Sequence, residues 1–304
     1  MSGNDMAGFL DRLGRGWTLT KTSFKIIREE KQLLVLPVLS GITLVMVVMS
    51  FIGGMFGLMA WGNVWSAGGN AVAAFVFVLG FLFYLVTYFI GIYFNAALVH
   101  CATIKLQGGK PTLGEGFRAA NQALGKLFAW AAVAATVGMI ISAIQSRGGI
   151  IGRIVGTIAG VAWSIAIFFA VPVILYEKLS PFAAVRRSVE IMRRTWGEAM
   201  GGTLGMGIIF ALLALAGLVP LIAGILLGVS TGNIWILVAL VIITVVYWMA
   251  LAIFYSAAQG VLLAALSRYA VTGTVSPGFN AAVYNNPWSA AATWQAPPPY
   301  RPSY

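Results

Sequence analysis

The sequence predicts an all-α fold: a polytopic membrane helical bundle of about six transmembrane helices, arranged as three hairpins that each follow a cytoplasmic amphipathic helix. Hydrophobic residues make up 60% of the 304-residue chain and charged residues only 9%, against about 25% in an average soluble domain. The mean hydropathy is +0.91, and the long apolar runs exceed the roughly 20 residues that a helix needs to cross a bilayer. These observations exclude an ordinary soluble domain.

The apolar runs predict the spans, and the polar residues between them predict where each span ends. The predicted spans are about 33–60, 71–99, 127–144, 154–176, 202–227 and 234–266. Pro37 lies in the first span, Pro172 near the end of the fourth, and Pro220 within the fifth. A proline removes one backbone hydrogen bond of a helix, so we expect the fifth span to be broken. Together the spans form a membrane domain over 33–269.

An amphipathic segment is predicted before each hairpin. Residues 1–32 are expected to form a cytoplasmic amphipathic helix, because apolar residues recur there at spacings of three and four. A second interfacial helix, near 112–125, is predicted by Thr112 and Glu115, which fit a T-x-x-E capping box. The third lies near 180–197, between the fourth and fifth spans.

This connector, residues 171–198, carries eight of the 27 charged residues. Its helix is expected to begin after Ser180, a favourable N-cap, with Pro181 at the first helical position. One quadrant of the helical wheel is apolar and is formed by Phe182, Val185, Val189, Met192 and Trp196. The opposite half carries Arg186, Arg187, Glu190, Arg193 and Arg194. The pattern predicts a helix that lies in the membrane interface rather than across it.

The connector also supplies the candidate contact residues. The predicted contacts to anionic lipid headgroups or a partner are Arg186, Arg187, Arg193, Arg194 and Trp196. Arg187 and Arg194 are expected in water, and Trp196 in lipid or protein. Two interpretations remain open: a docking surface, or an interfacial helix that simply follows the positive-inside rule. Glu177 is expected to pair with Lys178 or with a connector arginine, which would hold the helix against the bundle.

The basic residues predict the orientation of the chain. With six spans, 17 of the 19 Lys and Arg residues fall on one side of the membrane, and only Arg147 and Arg153 fall on the other. The positive-inside rule therefore predicts a protein of the cytoplasmic membrane with both termini in the cytoplasm. Because the net charge of +11 is concentrated beside the spans, it favours anionic lipid as a partner and argues against nucleic acid.

A short internal repeat supports three hairpin units. Residues 92–97 (IYFNAA) match 253–258 (IFYSAA), and the downstream segments 109–117 and 273–279 are also similar. Repeated hairpins are common in membrane proteins, and the repeat pairs Asn95 with Ser256.

Three segments resemble one known family. They are GWTLTKTSFKIIREEKQLLVLPVLSG (16–41), VPVILYEKLSPFAAVRRSVEIMRRTWGE (171–198) and LSRYAVTGTVSPGF (266–279). Together they resemble an uncharacterised six-span prokaryotic membrane-protein family, a domain of unknown function. That family is distantly similar to the membrane domains attached to some glycerophosphodiester phosphodiesterases. The resemblance covers about residues 10–280, implies the six-span topology and implies no catalytic residue.

The sequence offers few groups for chemistry. No Asp, Glu, Lys, Arg or His lies inside a predicted span, which argues against proton-coupled transport. His100 and Cys101 are the only residues of their types, so neither a disulfide nor a metal constellation is expected. No carboxylates are paired for acid–base work. We therefore predict no catalytic residue, no cofactor, no metal and no enzymatic activity.

Polar residues inside the spans have two interpretations. Asn95, Ser256 and Gln259 either stabilise the bundle through hydrogen bonds between helices or line a polar path between the second and sixth spans. The sequence accordingly predicts a non-catalytic multi-pass membrane protein that binds or organises partner proteins or lipids at the cytoplasmic face. The alternative is a channel or permease for a neutral or lipid-like solute.

The C-terminal segment 270–304 is a predicted cytoplasmic tail, rich in proline and aromatic residues. Its PPPY sequence at 297–300 resembles ligands of proline-binding grooves, and it is the candidate contact for a protein partner. A plain tail is the other interpretation, and the oligomeric state stays open.

Overall fold

The computed structural model describes residues 20–60, 70–272, 276 and 279, and within these ranges the secondary structure is helical. The helices, numbered here in chain order, are α1 (20–29), α2 (Gln32–Ala60), α3 (Asn70–Leu106), α4 (Leu113–Gln122), α5 (Leu124–Arg147), α6 (Gly149–Ala166), α7 (Ala170–Tyr176), α8 (Pro181–Arg194), α9 (Trp196–Ala216), α10 (Leu218–Thr231) and α11 (Ile234–Thr272).

Six stretches of the described chain are long and apolar enough to cross a membrane. They are Gln32–Leu58, Ala74–Leu106, Leu124–Arg147, Gly149–Tyr176, Gly202–Thr231 and Ile234–Thr272. The predicted all-α polytopic bundle is therefore confirmed. The predicted third span, 127–144, was too short, because its helix has 24 residues. The helix includes Lys126 before the apolar run and Arg147 after it, because backbone hydrogen bonding continues beyond both ends of that run.

The fourth and fifth spans are broken, and both breaks lie just before a proline. Pro172 is the third residue of α7, and Pro220 is the third residue of α10. Proline lacks the N–H that an uninterrupted helix would use at this position, and its ring crowds the preceding turn. The break predicted in the fifth span is present, and the fourth span contains a second one.

Side chains satisfy the backbone groups that these breaks release, as the absence of water in a bilayer requires. At the first break, the Phe169 N–H donates to Ser188 Oγ at 3.0 Å. At the second, Tyr247 OH donates to the Leu213 carbonyl at 2.6 Å, and Trp248 Nε1 donates to the Ala214 carbonyl at 3.1 Å.

The chain forms two compact units. One comprises residues 35–101 and 112–194. Its core includes the buried side chains of Leu85, Leu127, Trp130, Phe169 and Ile174. The other comprises the described parts of 1–34, 102–111 and 195–304. Its core includes Ile27, Leu33, Met206, Leu262 and Leu266.

Candidate functional site: the connector helix

The connector helix α8 begins as the sequence predicts. It starts at Pro181, and the Ser180 carbonyl accepts the first helical hydrogen bond, from the Ala184 N–H at 2.8 Å. Ser180 thus occupies the N-cap position and Pro181 the first helical position, where its missing N–H costs nothing. The helix packs on α7 and also contacts α5 and α6.

The face that α8 buries overlaps the apolar quadrant only at Met192. Its buried residues are Ala184, Ser188, Ile191 and Met192. Phe182, at one edge of the apolar quadrant, is 72% exposed, and Val185 and Val189 are only half-buried. The buried face is rotated by roughly a quarter of a turn from the apolar quadrant. Small residues decide this, because Ala184 and Ser188 let α8 approach the broken fourth span closely.

Ser188 is the residue that sequence reasoning missed. Its side chain and Phe169 are both fully buried, and its hydroxyl oxygen accepts the N–H that the break at Phe169 releases. Ser188 follows Ala184 by four residues, so the two form a stripe of small residues on one face of the helix. This stripe was the signal in the sequence that could have indicated a close helix contact. The partner of that stripe lies 19 residues away in the chain, and no local pattern identifies it.

Arg187 connects the start and middle of the connector. Its Nε donates to both carboxylate oxygens of Glu177, at 3.1 and 3.2 Å, and its Nη1 donates to Glu190 Oε2 at 2.9 Å. The pairing of Glu177 with a connector arginine is therefore present. The prediction that Arg187 lies in water is wrong: its side chain is 14% exposed and that of Glu177 is 16% exposed. Two carboxylates draw the guanidinium inward, because each offers it a charge-assisted hydrogen bond.

The charge on Arg187 is retained in this setting. Burial acts to lower the pKa of the guanidinium, but hydrogen bonds to Glu190 and Glu177 outweigh it, and the net pKa is raised. Arg187 is thus a permanently charged link within the protein. Lys126 adds a second link, because its Nζ donates to the Lys178 carbonyl.

The outer surface of α8 carries apolar side chains that are exposed or half-buried, together with exposed arginines. Val185, Val189 and the carboxylate residue Glu190 line a shallow groove of about 410 Å³ together with Arg186 and Arg193. Both arginines are exposed. We call this surface, with Phe182, the connector surface. The side chains of Arg194 and Trp196 lie outside the described residues.

The second interfacial helix, α4, is held by the predicted capping box. Thr112 Oγ1 accepts the Glu115 N–H at 3.3 Å, and the Glu115 carboxylate accepts the Thr112 N–H at 2.8 Å. The Thr112 hydroxyl also donates to the Glu115 carboxylate at 2.8 Å. This hydrogen bond, followed by the one from the Thr112 N–H, lowers the pKa of Glu115. A Cβ on Gly116 would lie 2.7 Å from Cys101 Sγ, so only glycine allows α4 to approach α3 this closely.

The polar span residues occupy varied settings. Gln259 Nε2 donates to the Tyr255 hydroxyl at 2.7 Å, one turn away on the same helix. Asn95 and Ser256 are half-buried and belong to different compact units. His100 Nδ1 lies 3.5 Å from the Tyr176 hydroxyl. Among the described residues, no three of His, Cys, Asp or Glu are grouped to hold a metal ion.

Comparison with known proteins gives one match. The profile of a Family of unknown function (DUF6159) matches residues 72–278, from the second span to the end of the sixth and a few residues beyond. No curated protein matches the chain, and no solved structure matches it.

Proposed function

This chain belongs to the family of unknown function DUF6159, and we propose that it is a non-catalytic multi-pass membrane protein whose connector surface binds anionic lipid. The surface would lie on the cytoplasmic face of the membrane, with both termini on that side, as the distribution of Lys and Arg predicts.

One observation carries the proposal: α8 packs against the protein through Ala184, Ser188, Ile191 and Met192 and leaves Phe182, a member of its apolar quadrant, exposed. Phe182 is 72% exposed, and the exposed Arg186 and Arg193 stand beside it on the same helix. A helix with this surface lowers its free energy by placing apolar side chains below the headgroups and cations among them. Each Lys or Arg near an anionic surface contributes about 1 kcal/mol.

The internal contacts of α8 give this surface a fixed orientation. Ser188 is bonded to the break in the fourth span, and Arg187 is bonded to Glu177, so two of the polar groups of α8 are already used within the protein. Arg186 and Arg193 carry the proposed lipid contact, and Arg187 orients the helix. The side chain of Arg194 is not described, so its role stays a prediction.

The position of α8 is tested by fluorescence quenching in nanodiscs. Phe182→Cys and Arg186→Cys variants, each labelled with bimane, are reconstituted with lipids that carry a spin label at a shallow acyl position. We expect strong quenching at residue 182 and weak quenching at 186. Cys101 is buried and its labelling is measured in the unmutated chain. Equal quenching at the two positions would refute an interfacial α8.

The lipid preference is tested with charge-matched variants. Arg186→Ala/Arg193→Ala and Arg147→Ala/Arg153→Ala each remove two positive charges, but the second pair lies on the opposite predicted side of the membrane. Native mass spectrometry counts the phosphatidylglycerol molecules retained by each variant. We expect a loss only for the connector pair. Equal losses would show that net charge alone controls retention.

Transport is not proposed. The repeat-matched residues that motivated a channel or permease belong to different units, and Gln259 is bonded within its own helix. The PPPY segment at 297–300 that motivated a protein partner lies outside the described residues. The likeness to phosphodiesterase-linked membrane domains stays a prediction.

A further inference from the structure

The compact unit that contains α1, α9 and α11 has an apolar groove of its own. A lateral groove of about 470 Å³ runs between α9 and α11, lined by residues that include Gly207, Phe210, Ala211, Trp248, Leu251 and Tyr255. The lining runs from Gly207 to Ala214 on α9 and from Trp248 to Tyr255 on α11, eight residues on each helix, or about 10 Å of helix length. The groove lies within the fifth and sixth apolar spans, so its natural content is hydrocarbon rather than water.

The groove exists because one wall is made of small residues. Gly207, Ala211 and Ala214 follow one another along α9 at spacings of four and three, so no large side chain fills the space. Ala211 and Ala252 are exposed, which opens the groove sideways toward the bilayer. One end of the groove lies at the break in the fifth span, where Trp248 Nε1 donates a hydrogen bond to the Ala214 carbonyl.

Aromatic rings connect the other end of the groove to α1. The ring of Phe24 stacks on Phe254 with centroids 5.4 Å apart and on Phe210 with centroids 6.3 Å apart. Phe210 in turn contacts Tyr255 edge-on at 5.0 Å, and both of these line the groove. Phe24 therefore stands at the mouth of the groove.

The exposed face of α1 is basic at this point. Lys21, Phe24, Lys25 and Arg28 are all exposed, and their spacing of three, one and three places them on one stripe of the helix. The acid of this helix that follows, Glu29, is paired with Lys105 at 3.5 Å. The stripe thus presents three cations around an aromatic ring that contacts the groove lining.

We propose that this groove binds one anionic glycerophospholipid, with an acyl chain between α9 and α11 and the phosphate on Lys21, Lys25 and Arg28. The chain connectivity agrees with this orientation. With six spans, α1, the start of α9 and the end of α11 all lie on one side of the membrane. The groove therefore runs inward from the α1 side, as the acyl chain of a lipid in that leaflet does.

The apolar groove and the basic stripe of α1 together match the acyl chain and the phosphate of one lipid molecule. A small-residue groove alone would accept any hydrocarbon, and a basic helix alone would attract any anion. Their connection through Phe24 selects a ligand that carries both groups. An anionic phospholipid is therefore preferred over a zwitterionic one of the same chain length.

The groove is tested with phospholipids brominated in their acyl chains, which quench nearby tryptophan. The full chain in detergent micelles is titrated with brominated phosphatidylglycerol and, separately, brominated phosphatidylcholine. The difference between this protein and a Trp248→Phe variant isolates the signal from Trp248. We expect Trp248 to be quenched at a lower concentration of phosphatidylglycerol than of phosphatidylcholine.

Gly207→Leu should abolish this quenching by filling the groove. A Cβ on Gly207 meets no atom within 4 Å, so the variant should fold. Gly41→Leu is the matched control, because its Cβ is equally unobstructed but lies on α2, outside the groove. Lys21→Ala/Lys25→Ala should keep the quenching by phosphatidylcholine and reduce the preference for phosphatidylglycerol, by about fivefold for each cation.

Three results would overturn the proposal. They are equal quenching by the two lipids, quenching that survives Gly207→Leu, and a change in self-association in Gly207→Leu with unchanged lipid quenching. The third would identify the groove as a contact between copies of this chain. Arg186→Ala/Arg193→Ala should leave the Trp248 signal unchanged, so failure of this site is distinguishable from failure of the connector surface.

Discussion

Replacing Ser188 with alanine tests whether α8 supports the broken fourth span. The substitution removes the hydroxyl oxygen that accepts the Phe169 N–H at 3.0 Å, and it changes the side-chain volume little. Both residues are fully buried, so water has no access to the released donor. A buried donor without a partner costs about 1–3 kcal/mol, and we expect the free energy of unfolding to fall by that amount.

Two measurements follow this change. Unfolding in mixed micelles with increasing denaturing detergent gives the free energy of unfolding, and hydrogen exchange of the Phe169 amide reports the local bond. Exchange through local opening should accelerate about 5- to 150-fold, which corresponds to the same energy range. Ser50→Ala is the control, because the Ser50 hydroxyl is exposed and donates to a carbonyl of its own helix. Its effect should stay within about 0.5 kcal/mol.

The outcome that contradicts this reasoning is specific. If Ser188→Ala matches Ser50→Ala in stability and the exchange of Phe169 is unchanged, the hydroxyl does not hold the break. A loss of stability with unchanged exchange would place the effect elsewhere in α8.

Three further predictions concern the connector, α4 and the topology. Glu177→Gln should destabilise the protein by about 1–3 kcal/mol, because it removes one of the two carboxylates that pair with the partly buried Arg187 and leaves only Glu190, and adding Arg187→Met should recover part of this loss in denaturation measurements; a fully stable Glu177→Gln variant that lost a hydrolytic or transport rate would contradict the non-catalytic reading. Hydrogen bonds from Thr112 lower the pKa of Glu115 in the folded protein. The contribution of Glu115 to the free energy of unfolding is therefore complete above its unfolded pKa and is lost as the pH falls through its folded pKa. Thr112→Ala should reduce this dependence of stability on pH, measured by thermal melts between about pH 7 and 3. A reporter enzyme that works only in the cytoplasm should be active when it is fused after Tyr304. Activity of a reporter that works only outside the cytoplasm would contradict the predicted topology.

Much of the fold follows from local pattern. Length and hydropathy identify six spans because crossing a bilayer demands a long, continuous apolar helix. The capping box of α4 was also predictable, since Thr112 and Glu115 form it within four residues. The ends of the spans were less predictable. The second predicted span stops near residue 99, whereas α3 continues to Leu106, because a helix extends through polar residues that leave the membrane.

The candidate site was only partly predictable. The existence, start and amphipathic character of α8 follow from the spacing of its residues, and so does the attraction between Glu177 and a connector arginine. The wheel could not identify Arg187 as that arginine, because Arg186 is its immediate neighbour. Distinguishing them required the position of α7, which places Glu177 within 3.1 Å of Arg187 Nε.

The sequence by itself determined the number of spans, the break before Pro220 and the chemical pattern of each amphipathic helix, because these depend on residues close together in the chain. Only the tertiary structure decided which face of each amphipathic helix is covered. On α8, a hydrogen bond from Phe169 to Ser188 and the small side chain of Ala184 decided it, and Phe182 of the apolar quadrant was left exposed. On α1, the covered face is the one formed by Thr20, Ser23, Ile26 and Ile27. Burial depends on shape and on the partners that the fold supplies, whereas the hydrophobic pattern records only which surface would gain from being covered.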